Sequence, residues 1–492
     1  MTEAQGLKKK AASSVVWTTL QKYSKILISF VSDIILARLL TPYDFGCIGM
    51  LAIFMVLAET FVDGGFGSAL IQKKKPTQED YSTIFFWNLG MSALLYAILF
   101  ISAPAIARFY GIPILCSVLR VQGIILFFYA FNVIQRNQLK KQLNFKVLSI
   151  ITVISSVVSL VVTIVMAYRG LGIWALVAKN LVATAITSVF FWFYVKWRPI
   201  WVFSWKSFKE LFSFGFYMFL THLVTNFSTR FQGLLIGKVY TPTTMGFYSK
   251  AAGTENLASS SISQVLTQVT YPLYAQVQDD KVRLQNIIRR LTMTLSYLTF
   301  PMMFILILVA KPLFILLYSE KWLQSIPYFQ VLCVAGLAHC LQSINLQTIS
   351  AIGKSKVTFV WTLVKRLVGI GFIVGGLALW GMKGLLCGAV LNEWFSYFVN
   401  MGLVSKHVGY KWYRQLWDLF PVLAASIVSA IVSYLCVSLL HLSMYPDGIA
   451  KLLVYAALYL GWSFVFKPEA FRYSQTIPEL LFSKRGKHKI KG

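Results

Sequence analysis

Lys22, Lys25, Ser29 and Asp33 recur at i, i+3, i+7 and i+11, which puts all four on one face of a helix otherwise built from apolar residues. Two hundred residues later His222, Asn226 and Arg230 recur at i, i+4 and i+8, and His222 holds the place that corresponds to Lys22. Ammonium, guanidinium and amide groups in such stripes bind phosphate oxygens through charge-assisted hydrogen bonds. Five more bases stand inside apolar runs: Arg120, Lys179, Lys250, Lys365 and Arg366. Thr254, Ser261, Gln264 and Gln268 follow Lys250, and a later run carries His339 and Gln342. Acids within or at the edge of these runs are fewer, namely Asp33, Glu59, Asp63, Glu255 and Glu393. Each is an ion-pair partner, a coupling-ion or proton site, or an exposed helix-end charge. For Asp63, beside Gly64-Gly65, the helix-end reading is preferred. More bases than acids suits an anionic ligand such as a phosphate or diphosphate. The six cysteines show no CxxC and no His at ligand spacing, so no metal and no cofactor is expected, and they read as small core residues.

The elements that must position these groups are membrane helices. Of 492 residues 57% are hydrophobic and 13% charged, yet 46 Lys+Arg stand against 17 Asp+Glu, a net +29. A soluble domain carries about 25% charged residues, and a disordered basic chain lacks such apolar mass. Most bases lie between apolar runs instead of in polar clusters, which argues against nucleic acid as a partner. A span needs about 20 mainly apolar residues, and fourteen runs qualify, from Ser13–Leu39 to Ile449–Phe466, the fourth being Ile114–Gln135. Lys8, Lys9 and Lys10 precede the first run, which reads as a retained anchor. With the N-terminus inside, alternate loops and the tail collect 30 Lys/Arg, the opposite loops eight, and the runs eight. That bias predicts both termini in the cytoplasm. Eight bases facing lipid would cost roughly 20 kcal/mol at about 2.5 kcal/mol each. They must pair, snorkel or line water. Snorkelling is the alternative for Lys22, Lys25, Lys179, Lys250, Lys365 and Arg366; two matching stripes favour a shared cavity.

The match is part of an internal repeat. Residues 34–46, ending Leu39-Leu40-Thr41-Pro42-Tyr43-Asp44-Phe45-Gly46, recur at 234–246 with the basic residue, Thr241-Pro242 and Gly246 in place. Pro ends one helix, Thr caps the next, and Gly allows close packing. The expected fold is therefore all-α integral membrane: a lobe over 1–200 (spans 1–6), a second over 201–412 (spans 7–12), a helix pair over 413–470 and a basic tail over 471–492. Two halves with an even number of spans share orientation and enclose a cavity that rocking opens to either side.

Ile35-Leu36-Ala37-Arg38-Leu39-Leu40-Thr41-Pro42 with Phe45-Gly46, Asp63-Gly64-Gly65-Phe66-Gly67 and Ile71-Gln72-Lys73 resembles the opening of the polysaccharide transporter family, within the multidrug/oligosaccharidyl-lipid/polysaccharide flippase superfamily. Gln278-Asp279-Asp280, Glu320-Lys321-Trp322 and Gln330-Val331-Leu332-Cys333 resemble the colanic acid and teichuronic acid exporter branch. The resemblance implies a twelve-helix, two-lobed core plus two helices in the bacterial inner membrane. It also implies outward flipping of undecaprenyl-diphosphate-linked oligosaccharides, with a polysaccharide polymerase and export machinery as partners beside the lipid-linked substrate and membrane lipids. The substrate-facing set expected from the residues is Lys22, Lys25, Arg120, His222, Asn226, Arg230, Lys250 and Arg366, with Asp33, Glu59, Glu255 and Glu393 for coupling or ion pairing. The related lipid II flippases space their first-helix charges differently, so no role is copied from them. The alternative is a cation-coupled multidrug antiporter of the same superfamily. A membrane glycosyltransferase or polymerase would need acidic catalytic residues and a sizeable external loop, so no enzyme is expected.

Overall fold

A computed structural model describes residues 3–277 and 280–473, and side chains outside 3–16, 214, 261–273, 275–276 and 355–356. Gln278-Asp279, the basic tail from 474 onward, and the side chains of Lys8–Lys10, Ser261, Gln264 and Gln268 lie outside the described residues. The helices in chain order are α1 (Glu3–Leu39), α2 (Pro42–Asp63), α3 (Phe66–Gln72), α4 (Gln78–Tyr110), α5 (Ile114–Gly123), α6 (Ile125–Lys141), α7 (Phe145–Tyr168) and α8 (Ile173–Tyr194). They continue with α9 (Trp205–Val239), α10 (Pro242–Gln276), α11 (Lys281–Leu308), α12 (Ala310–Tyr318), α13 (Ser325–Ala351), α14 (Ser355–Val408), α15 (Trp412–Ser438) and α16 (Met444–Phe466). Non-helical backbone at Trp380 and Gly381, where Gly381 takes a φ of 59°, breaks α14 into two passes. With α2–α3 and α5–α6 each forming one pass, the fourteen apolar runs all fall on helices, and the fold is all-α as expected. Ten described stretches are long and apolar enough to cross a membrane, one of them being both passes of α14. Apart from the short α12, the helices outside that set are α1, α9 and α10, which carry in-span polar residues of the sequence reading.

Packing divides the chain into compact units Met1–Ser249 and Lys250–Gly492. In the first, α7 packs on α1 and α8, and α9 packs on α2, α3 and α4. Thr41 caps α2 as the motif predicts: its hydroxyl accepts from Asp44 N–H and its own N–H donates to Asp44 Oδ2 at 3.0 Å, with Pro42 in the first turn. Thr241 Oγ1 accepts from Thr244 N–H at 3.2 Å in the second copy of the motif. The two copies meet. A Cβ built on Gly46 would land on the Pro242 carbonyl, and one built on Gly246 on the Pro42 carbonyl, a reciprocal contact that only hydrogen side chains permit. Gly46→Ala and Gly246→Ala should each lower stability by about 1–3 kcal/mol. Thermal unfolding in detergent checks this, and an unshifted midpoint in both would mean the backbones separate at no cost.

In the second unit α13 packs on α11 and α14, and the pair α15–α16 docks on α11. Arg289 forms a two-pronged pair with Asp418 at 2.8 Å for each bond and reaches Glu469 at 2.8 Å, while Tyr410 O–H donates to Asp418 Oδ2 at 2.6 Å. Tyr297 O–H donates to Ser463 Oγ at 3.0 Å, deep between α11 and α16. Outside the spans, burial and the Asp418 carboxylate together hold the Tyr410 phenol above its ordinary range. Of the cysteines, Cys47, Cys333 and Cys340 are buried core residues, but Cys387 and Cys436 are exposed. The sequence reading erred for these two because an apolar run does not distinguish a helix face turned to the core from one turned outward.

Candidate functional site

Each unit builds a polar cluster from three or more helices. In the first unit, α2 supplies Glu59 and Asp63 one turn apart; α6 supplies Tyr129, Arg136 and Lys140; α9 supplies His222, Asn226 and Arg230; and α1 supplies Lys25. Glu59 interacts electrostatically with Arg230 and Arg136. Asp63 does so with His222, Lys140 and Arg136, and its carboxylate accepts the Gly65 N–H. Arg136 also faces Lys25 and Tyr129. Asn226 Nδ2 donates to Thr60 Oγ1 at 2.8 Å, which joins the α9 stripe to α2. Two carboxylates thus meet the basic side chains of Arg136, Lys140 and Arg230, with Lys25 beside Arg136. The positive surplus is able to take up an anion, and Lys25, His222 and Arg230 are exposed.

Arg136 and Lys140 were missed by the sequence reading, which assigned them to a cytoplasmic loop after Gln135. Helix α6 runs on to Lys141 and returns them to the helical face. The missed signal is the spacing of Tyr129, Asn132, Arg136 and Lys140 at i, i+3, i+7 and i+11, the same as in the α1 stripe. Asp63 is the last residue of α2, with Gly64 in the left-handed cap at a φ of 53°. It is both a helix end and a cluster member.

The other predicted residues have separate surroundings. Lys22 is half-buried on α1. Asp33 faces Lys179 across α1 and α8, an ion-pair arrangement. Arg120 Nε donates to the Phe100 carbonyl at 3.4 Å, and its guanidinium lies 4.2 Å from the Phe100 ring centre. Among the described contacts, nothing brings Arg120 to the cluster.

The second unit gathers Glu255 from α10, His339 and Gln342 from α13, and Arg366 and Glu393 from the two arms of α14. Glu393 Oε2 lies 3.3 Å from His339 Nδ1 and accepts from Gln342 Nε2 at 2.5 Å. Glu255 accepts a bond from Ser259 and faces both His339 and Glu393. Arg366 faces the same pair. Lys365 is 7% exposed, with Nζ donating to Asn400 Oδ1 at 2.6 Å, and it stays within electrostatic reach of Arg366 and Glu393. Lys250 is 3% exposed, with Nζ 4.8 Å from the ring centre of Tyr318 and 4.9 Å from that of Trp322. An aromatic cage holds it.

The family model described as "Polysaccharide biosynthesis protein" matches residues 35–327. The chain belongs to the polysaccharide biosynthesis protein family. The teichuronic acid biosynthesis protein TuaB of Bacillus subtilis (strain 168) is 27% identical to this family member over 72% of the chain and 74% of TuaB. The lipopolysaccharide biosynthesis protein WzxC of Escherichia coli (strain K12) is 23% identical over 87% and 88%, and the succinoglycan biosynthesis transport protein ExoT of Rhizobium meliloti (strain 1021) 24% over 86% and 83%. In fold, the chain is similar to the lipid II flippase MurJ in an inward closed conformation, with a TM-score of 0.72, 14% identity and coverage of 92% and 98%. A multidrug resistance MATE family transporter of the MOP superfamily, inward-facing, gives a TM-score of 0.62 at 16% identity, with coverage of 84% and 98%. The resemblance read from the motifs around Thr41-Pro42 therefore holds. This is a multi-pass membrane protein of polysaccharide biosynthesis with a transporter fold, and not an enzyme.

Proposed function

We propose that this family member flips undecaprenyl-diphosphate-linked oligosaccharide repeat units across the bacterial inner membrane for cell-surface or exopolysaccharide assembly. The family match over residues 35–327 carries the reading. Both termini are cytoplasmic, lobes 1–200 and 201–412 alternate access to a cationic central cavity, 413–470 is an appended pair, and polymerase and export machinery receive the product. The diphosphate is held by some of Lys22, Lys25, His222, Asn226, Arg230 and Arg366, with Arg136 added. Arg120 and Lys250 already serve Phe100 and the Tyr318–Trp322 cage, so they are secondary to this set. Asp33 and Glu59 are ion-pair partners, while Glu255 and Glu393, beside His339, are where a coupling ion or proton would act.

Lys25→Ala and Arg230→Ala, each in a strain whose surface polymer depends on this protein, should cut polymer export at least tenfold and leave lipid-linked precursor unflipped. Export at the unaltered level in both would refute the site. The MATE-like fold favours a second reading, cation-coupled drug export. The surplus of cations in the first cluster repels cationic drugs, so expression should leave drug resistance unchanged; raised resistance would favour the second reading.

A further inference from the structure

A cleft of about 550 Å³ opens in the first unit, lined by none of the Glu59–Arg136 cluster residues, where the C-terminal turns of α6 and α8 meet the segment before α4. Its volume is in the range of small-ligand sites. Tyr81, Tyr194 and Trp197 supply aromatic walls, and Lys141, Lys196 and Gln142 supply polar groups. No carboxylate is among its lining residues. The nearby Asp80 is buried and committed to Lys73 at 3.1 Å, and Lys73 is also paired to Glu210 at 3.0 Å.

The cleft is built before any ligand arrives. Residues 195–204 are not helical, yet side chains of the first turns of α4 pin them. Trp197 Nε1 donates to Gln78 Oε1 at 2.6 Å, and Gln78 Nε2 donates to the Arg198 carbonyl at 2.6 Å. Ile200 N–H donates to Ser82 Oγ at 3.1 Å and Ser204 N–H to Thr83 Oγ1 at 3.0 Å. Lys141 Nζ donates to the carbonyls of Leu70 and Lys73, which uses two of its three N–H donors among the described residues. Helix C-termini bring partial negative charge to the cleft, and Lys141 and Lys196 offset it. Lys196, exposed at the mouth, is the group best placed to meet an anion.

Depth in the bilayer follows from the neighbouring chain. Trp201 is 93% exposed and stacks on Phe86 at 5.1 Å between ring centres, and Phe203 and Trp205 are exposed beside it. Exposed Trp and Phe on an irregular, polar-anchored segment settle where headgroups begin. Basic pockets between helix ends at that depth take up lipid phosphates. We propose that this cleft is a headgroup site for a phosphate-bearing lipid, with Lys196 on the phosphate and the Tyr194 and Trp197 rings flanking the polar headgroup. The phosphate comes from a bilayer phospholipid or from a prenyl diphosphate.

The test uses the full-length protein purified in detergent, with bound lipid counted by native mass spectrometry. The probes are phosphatidylglycerol, phosphatidylcholine, farnesyl diphosphate and inorganic phosphate. Phosphatidylglycerol or farnesyl diphosphate should be retained at least tenfold over phosphatidylcholine, and which of the two is held more tightly identifies the source. Lys196→Glu and Tyr194→Ala, both at exposed positions, should each reduce that retention at least fivefold, whereas the charge-matched control Lys383→Glu should not. Equal retention by Lys196→Glu and Tyr194→Ala, equal loss in the control, or full competition by inorganic phosphate would each overturn the proposal.

Discussion

Arg136→Ala should reduce polymer export at least tenfold and destabilise the protein by about 2 kcal/mol, below the ~3–5 kcal/mol of a fully buried pair because the side chain is only half-buried. Among the described residues, Arg136 is the one cation that faces both Glu59 and Asp63, and Lys25, Lys140 and Tyr129 face it in turn. Its removal takes from Glu59 and Asp63 the cation they share and leaves Glu59 with Arg230 and Asp63 with His222 and Lys140, inside a membrane helix bundle where a weakened charge pair is expensive. It also takes away the planar five-donor group best suited to a diphosphate. These two consequences separate by experiment. Adding Glu59→Gln to Arg136→Ala should recover part of the unfolding midpoint, since no carboxylate at 59 then lacks one of its two arginine partners, yet leave export low. Arg136→Lys should keep stability within 1 kcal/mol, on the order expected for a retained charge, and recover only part of the export. Full export in Arg136→Ala, measured by surface polymer at matched protein level, would remove Arg136 from the transport site.

The largest stability effect is expected in the second unit. Trp322→Ala should cost about 3–5 kcal/mol, the range for an aromatic side chain deleted from a packed core. Trp322 is fully buried, and its neighbour Tyr318, also fully buried, packs edge-on at 6.5 Å between ring centres. Between them lies the Lys250 ammonium, and the Thr254 hydroxyl is 3.0 Å from the Tyr318 oxygen. Loss of the indole both opens a cavity and strips a buried cation of one aromatic face, worth about 2 kcal/mol when desolvated. Trp322→Phe keeps a ring over the ammonium and should cost less than half as much. Thermal unfolding of the three proteins checks the order, and a Trp322→Ala midpoint equal to that of Trp322→Phe would show that the cage carries no weight. The motif Glu320-Lys321-Trp322 has a physical role here: just past the end of α12 it sets the Trp322 ring against Lys250 of α10.

Features that depend on neighbours in sequence were legible without coordinates. The fourteen apolar runs became helices because each can satisfy its backbone hydrogen bonds internally. The Thr41-Pro42 and Thr241-Pro242 caps formed because the capping groups are three residues apart. The need for glycine at 46 and 246 was readable from the repeat, although the reciprocal contact that explains it was not. Arg136 escaped because the hydropathy of its run ends at Gln135 while the helix does not.

By itself the sequence determined an all-helical membrane protein with a repeated half, base-rich loops alternating with base-poor ones, and more cations than anions among its spans. Composition and local spacing suffice for these, since they follow from the bilayer's thickness and from helix periodicity. Only the tertiary structure decided which charges meet. Glu59 finds Arg136 and Arg230, 77 and 171 residues further on, while Asp33 finds Lys179, Lys250 enters an aromatic cage and Arg120 rests on Phe100. A stripe on one helix states what it offers. The partner is set by the helix packed against it, and in a low-dielectric bundle that partner decides whether a base is spent on the fold or left for a ligand.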